Sequence, residues 1–128
     1  MVLDSSAVVA ILFREAGHQD LLAKIETAPG VAIGAPTLVE TLIVLTARLR
    51  GEPVLALREL LHAVEAEVIP FSEDHSRVAL RAYLRFGKGR HRAALNFGDC
   101  LSYATASIAR QPLLFVGSVF SRTDIQAA

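Results

Sequence analysis

The chain lacks most of what would make it a secreted, membrane-spanning or strongly charged protein. Its 128 residues include a single cysteine, Cys100, so an internal disulfide is excluded and nothing points to an oxidising compartment. The opening apolar run "MVLDSSAVVAILF" is broken at Asp4 and ends at Arg14, without the basic leader of a secretory signal. No window approaches the roughly 18–20 apolar residues that a membrane span requires, so a cytoplasmic protein with no membrane partner is expected. Thirteen basic residues balance thirteen acidic ones, and zero net charge argues against a non-specific nucleic-acid binder. There is no low-complexity tract, no internal repeat, no linker and no Gly-x-x-x-x-Gly-Lys-Ser/Thr phosphate loop. His18, His62, His75 and His91 fall at no metal-ligand spacing, which argues against a zinc site.

What remains is a compact globular composition, 52% hydrophobic and 20% charged, long enough for one domain spanning residues 1–128. A mean hydropathy of +0.42 is high for a small protein and implies apolar surface covered by a partner. Strands are expected at "MVL", "VAIG", "EVIPF" and "PLLFVG". Helices are expected at "SSAVVAILF", "HQDLLAKIETA", "PTLVETLIVLTARLRG", "PVLALRELLHAVEA", "SEDHSRVALRAYLRF" and "DCLSYATASIAR". Helix signals are explicit in places. Ser72 precedes Glu73 and Asp74 in a first turn, and Leu57, Leu60, Leu61 and Val64 share one face of their segment. Alternating strands and helices predict parallel strands joined by crossovers, an α/β/α sandwich with a short central sheet. In such sheets ligands bind beyond the carboxyl ends of the strands.

Three acids occupy positions of that kind. Asp4 ends the first strand, Glu40 lies one turn into the helix after the second, and Asp99 opens the helix before the fourth. Each also has a plain structural role open to it. Asp4 and Asp99 suit helix N-termini, and Glu40 completes a Thr-x-x-Glu capping box with Thr37. As a set, however, three carboxylates converging on one edge repel each other unless a cation sits among them, and hard oxygen donors suit Mg²⁺ or Mn²⁺. Between His75 and Gly98 the chain carries Arg77, Arg81, Arg85, Lys88, Arg90 and Arg92 and no acid. The first three are spaced four apart, so they form a helical stripe, which serves either as a solvated face or as a phosphate-binding one. Cys100, at an apolar helix start, reads as a buried inert thiol, and Tyr83 and Phe86 read as core.

The stretches "VLDSSAVVAIL", "APTLVET", "FGKGRHRAALNFGDCLSYA" and "PLLFVG…F…TDI" resemble the PIN-domain ribonucleases, and more narrowly the VapC-type toxins of bacterial toxin–antitoxin pairs. The resemblance runs in order over nearly the whole chain. It implies an α/β/α sandwich with an acidic Mg²⁺- or Mn²⁺-dependent site that hydrolyses RNA, typically tRNA or ribosomal RNA. It also implies a homodimer and a cognate antitoxin that silences the enzyme in a heterotetramer or larger assembly. Position by position, Asp4, Glu40 and Asp99 fall on the family's catalytic acids, with Asp4 and Asp99 as metal ligands, and Ser6 falls on the hydroxyl residue that supports the first aspartate. The basic residues from Arg77 to Arg92 are expected to contact RNA. One departure stands out: where the family commonly reads Gly-x-Asp-Phe, this chain reads Gly117-Ser118-Val119-Phe120, so Val119 replaces a fourth acid. Asp124 in "RTDI" matches a separate tail position and is not taken as a ligand. Two functions follow, a metal-dependent endoribonuclease toxin and a nuclease-like module that binds RNA or antitoxin with weak or no cleavage. A small-molecule-binding α/β domain is a third.

Overall fold

The computed structural model describes residues 1–48 and 51–128. The elements run β1 (Val2–Leu3), α1 (Ser5–Leu12), α2 (His18–Glu26), β2 (Ala32–Gly34), α3 (Ala35–Arg48), α4 (Pro53–Ala63), β3 (Glu67–Ile69), α5 (Glu73–Phe86), α6 (Phe97–Ala109) and β4 (Leu113–Leu114). A 3₁₀ turn covers Phe120–Arg122. The four strands form one parallel sheet in the order β3-β2-β1-β4. The chain thus adds strands in one direction from β1 to β3, then returns to place β4 on the other side of β1. In sheets of this kind ligands bind beyond the carboxyl ends of the strands at such a reversal, here next to β1 and β4.

Both faces of the sheet are covered, and the two-residue side-chain period assigns each central residue to a side. Val2 and Leu113 pack with Ala79, Ala82, Phe86, Leu95, Cys100 and Ala104, from α5, α6 and the loop between them. Leu3 and Leu114 point the other way, onto Val8, Ile11, Leu21, Ile25, Leu45 and Leu57 of α1–α4. Two-sided burial explains why the central strands read as unbroken apolar pairs. β3 is an edge strand with Glu67 and Val68 exposed, and Pro70, unable to donate to a ladder, follows its end.

The expected elements form, with shifted boundaries. β3 and β4 are shorter than "EVIPF" and "PLLFVG". α3 begins directly at Ala35, with Pro36 inside its first turn, where a missing N–H costs nothing. Its expected end at Leu49 and Arg50 lies outside the described residues. α6 begins at Phe97, two residues before Asp99, because Asn96 is the better cap: its side chain accepts from the Asp99 N–H. No helix among the described residues is long and apolar enough to cross a membrane.

Candidate active site

The site is assembled at the start of three helices. β1 is only two residues long, so its carboxyl end delivers Asp4 straight to the N-cap of α1, where Asp4 Oδ2 accepts from the Ser6 N–H at 3.0 Å. The Asp4 N–H donates to the Leu114 carbonyl at 2.9 Å, tying the residue into the ladder beside β4. Asp4 is 4% exposed, a degree of burial that an ionised carboxylate tolerates only with partners. Ser6 supplies one: its hydroxyl donates to Asp4 Oδ2 at 2.5 Å and accepts from the Val116 N–H at 3.0 Å. The capping role that the sequence offers Asp4 is therefore realised, with Ser6 as a second partner of the same oxygen.

Asp99 behaves likewise. It is the third residue of α6, and its Oδ2 accepts from the Asn96 N–H at 2.7 Å while its own N–H donates to Asn96 Oδ1 at 2.9 Å. This reciprocal capping box fixes the carboxyl group at the positive end of the helix. Its pKa is nonetheless raised, first by burial, then by Asp4, with the Asn96 N–H opposing. Glu40 does not cap α3. Thr37, its expected capping partner, is buried and instead shares a 3.1 Å hydrogen bond with the Ser102 hydroxyl, linking α3 to α6. Glu40 is left to reach across to α6. A Cβ built on Gly98 would fall 2.7 Å from the Glu40 carboxyl carbon and nearer still to Oε1. Its pKa is raised by burial above all, then by Asp4 and by Asp99, against a hydrogen bond from Ser5. Glu40 thus feels both Asp4 and Asp99, and Asp99 feels Asp4.

Whether this set suits a divalent cation is decided by its donors. Among the described residues no three acidic, histidine or cysteine side chains stand close enough to cage a metal on their own. The array is open instead. In Asp4 and Asp99 the backbone and Ser6 hydrogen bonds fall on Oδ2, and among the described residues the other oxygen of each carboxyl group has no hydrogen-bond donor. Carboxylate oxygens are the hard donors that Mg²⁺ prefers, and that ion keeps several of its own waters. By chemical type these donors suit a hard divalent cation.

The remaining candidates divide. Val119 packs against the Phe120 side of the core, so the fourth acidic position is apolar in contact as well as in identity. Cys100 is buried and its thiol is pushed up to about 11 by burial and by Asp99, which keeps it protonated. Phe86 is core, but Tyr83 is 39% exposed with the Arg90 guanidinium over its ring. Within the basic stripe, Arg77 pairs with Glu73 and Asp74. Arg85 pairs with Asp124, which also accepts from the Tyr103 hydroxyl at 2.6 Å. Arg81, Lys88, Arg90 and Arg92 form no ion pair among the described residues. Ser5, Asn96, Gly98 and the Thr37–Ser102 link were not singled out as site residues from sequence. Only Asn96 left a visible mark, the Asn-x-x-Asp spacing of a capping box.

Residues 1–126 match the family model of the PIN domain. Ribonuclease VapC36 of Mycobacterium tuberculosis is 47% identical over 128 residues, a match covering 98% of this chain and 91% of that protein. Ribonuclease VapC of Mycolicibacterium smegmatis is 43% identical over 130 residues, covering 99% and 98%. Among solved structures, M. tuberculosis VapC20, described as a Sarcin-Ricin loop cleaving toxin, superimposes with a TM-score of 0.80 at 17% identity, covering 99% of this chain and 97% of that one. VapBC2 from Rickettsia felis, bound to a DNA fragment from its promoter, gives a TM-score of 0.73 at 19% identity, covering 98% and 94%.

Proposed function

This chain belongs to the PIN-domain family, among relatives named VapC ribonucleases, and on that footing we propose that it is an endoribonuclease toxin that requires Mg²⁺ or Mn²⁺ and is silenced by a cognate antitoxin. What supports this reading is that the Glu40 carboxylate of α3 lies against Gly98 of α6, next to Asp99, while Asp4 at the start of α1 raises the pKa of both Glu40 and Asp99. Asp4 and Asp99 would hold the cation through their unengaged oxygens, with Glu40 beside them. When bound, the ion supplies neutralisation of charge at the scissile phosphate and a more acidic water. Ser6 holds Asp4 in place, the α6 capping box holds Asp99, and the half-buried setting of Glu40 suits it to take a proton near the phosphate.

The substrate is a structured RNA such as tRNA or ribosomal RNA. Arg81, Lys88, Arg90 and Arg92, the cations of this stripe that form no ion pair among the described residues, are the primary phosphate contacts, with Arg77 and Arg85 joining by exchanging their acidic partners for phosphate. The partner is an antitoxin, as in the toxin–antitoxin complexes that share the fold. The exposed side chains of Val39, Ile43, Leu80, Leu84 and Phe97 support a homodimer that assembles with antitoxin into a heterotetramer or larger.

The test is cleavage of total RNA with and without added Mn²⁺. Asp4→Asn and Asp99→Asn each abolish cleavage, while Asn at either position keeps an oxygen for the cap; cleavage at the parental rate in both variants overturns the assignment. The apolar contact of Val119 favours a second reading, a chain that binds RNA or antitoxin and cuts weakly. Val119→Asp separates the two: a large gain in rate marks the parent as catalytically weakened, and an unchanged rate shows that three acids suffice.

A further inference from the structure

The glycine at position 98 has no backbone reason to be one. It lies in the first turn of α6, where its φ is negative, and alanine is the better helix former there. Gly34 and Gly87 also leave no room for a Cβ, but the obstructions they meet are Thr105 and the Tyr83 carbonyl and ring. At Gly98 all three nearest atoms belong to the Glu40 carboxyl group. That group is the far end of a flexible side chain, so a methyl group at 98 would move the carboxylate and leave both helices where they are. We propose that Gly98 is a positioning residue: its missing side chain is the seat that holds the Glu40 carboxylate beside Asp4 and Asp99. With α3 tied to α6 by the Thr37–Ser102 bond, the Glu40 carboxylate lies over the Gly98 Cα.

This rests on the proposed cation site and is tested through binding, apart from cleavage. Mn²⁺ is titrated calorimetrically into the chelator-treated parent chain, Glu40→Ala, Gly98→Ala, the double variant, and Gly98→Ala combined with Glu40→Asp. Melting temperatures are recorded for each. Gly98→Ala is expected to weaken Mn²⁺ binding about 10-fold or more, the scale seen when a ligand's support is lost, with little change in melting temperature. The double variant binds no worse than Glu40→Ala, because the methyl then meets nothing. Shortening residue 40 by one carbon restores part of the loss.

Parental affinity in Gly98→Ala beside a weakened Glu40→Ala overturns the proposal alone. So do additive losses in the double variant, or a Gly98→Ala change that unfolds the chain equally with and without Glu40→Ala, since each would make Gly98 a helix-packing residue only. Parental affinity in Glu40→Ala instead overturns the cation reading of this carboxylate and, with it, the proposal.

Discussion

Ser6→Ala probes the link between the site and the segment that follows β4. The hydroxyl makes two bonds, a charge-assisted one donated to Asp4 and a neutral one accepted from the Val116 N–H. Removing both, with the site partly open to water, is expected to cost about 2–3 kcal/mol, most of it from the charged partner. For a domain of this size that lowers Tm by roughly 6–12 °C. The α1 cap itself survives, because alanine keeps the N–H that Asp4 accepts from. A double-mutant cycle with Asp4→Asn isolates the side-chain term. The coupling is expected near 1 kcal/mol, since asparagine still accepts from Ser6 but without charge. RNA cleavage by Ser6→Ala should fall about 10-fold as Asp4 loses its brace. The assay pairs calorimetry with single-turnover cleavage. A Tm change under about 3 °C together with unaltered cleavage would refute the claim that Ser6 braces Asp4.

Stability should also respond to the acids themselves. Glu40 and Asp99 have raised pKa values in the fold, so their ionised forms are disfavoured there. The resulting penalty is absent below the ordinary carboxylate range and grows as pH rises through the raised values. Glu40→Gln and Asp99→Asn should therefore raise the Tm of the metal-free chain at pH 7 and leave it nearly unchanged below about pH 4, and a lowered Tm at pH 7 would contradict the burial argument. Away from the site, Leu57→Ala empties a position 1% exposed in the α1–α4 core and should cost about 2–5 kcal/mol by urea denaturation, a loss under about 1 kcal/mol counting against that packing.

Much of the architecture is legible in the sequence. Apolar runs interrupted by turn residues give the strands and helices, and their alternation gives a parallel sheet covered on both faces, because only two-sided burial explains strands as short and unalternating as "VL" and "LL". Asp4, Glu40 and Asp99 were identifiable as candidates by chemical type and by place at the strand and helix ends, whereas Ser6 was pointed to only by the family resemblance. Element ends were less legible: Asn96 displaced Asp99 as the cap of α6, since a cap is chosen by which side chain reaches an unpaired N–H.

Only the tertiary structure decided how these residues act together. Sequence offers Glu40 a local partner in Thr37, but burial commits Thr37 to Ser102, 65 positions away, and turns Glu40 toward α6. It offers a uniform basic stripe, but Glu73, Asp74 and Asp124 engage part of it. It shows Gly98 as a glycine and Ser6 as a serine, and not that one leaves room for a carboxylate and the other joins Asp4 to Val116. Local pattern encodes what a segment will become. Which polar groups are left over once the core has closed depends on contacts between distant segments, and this site is built from those leftover groups.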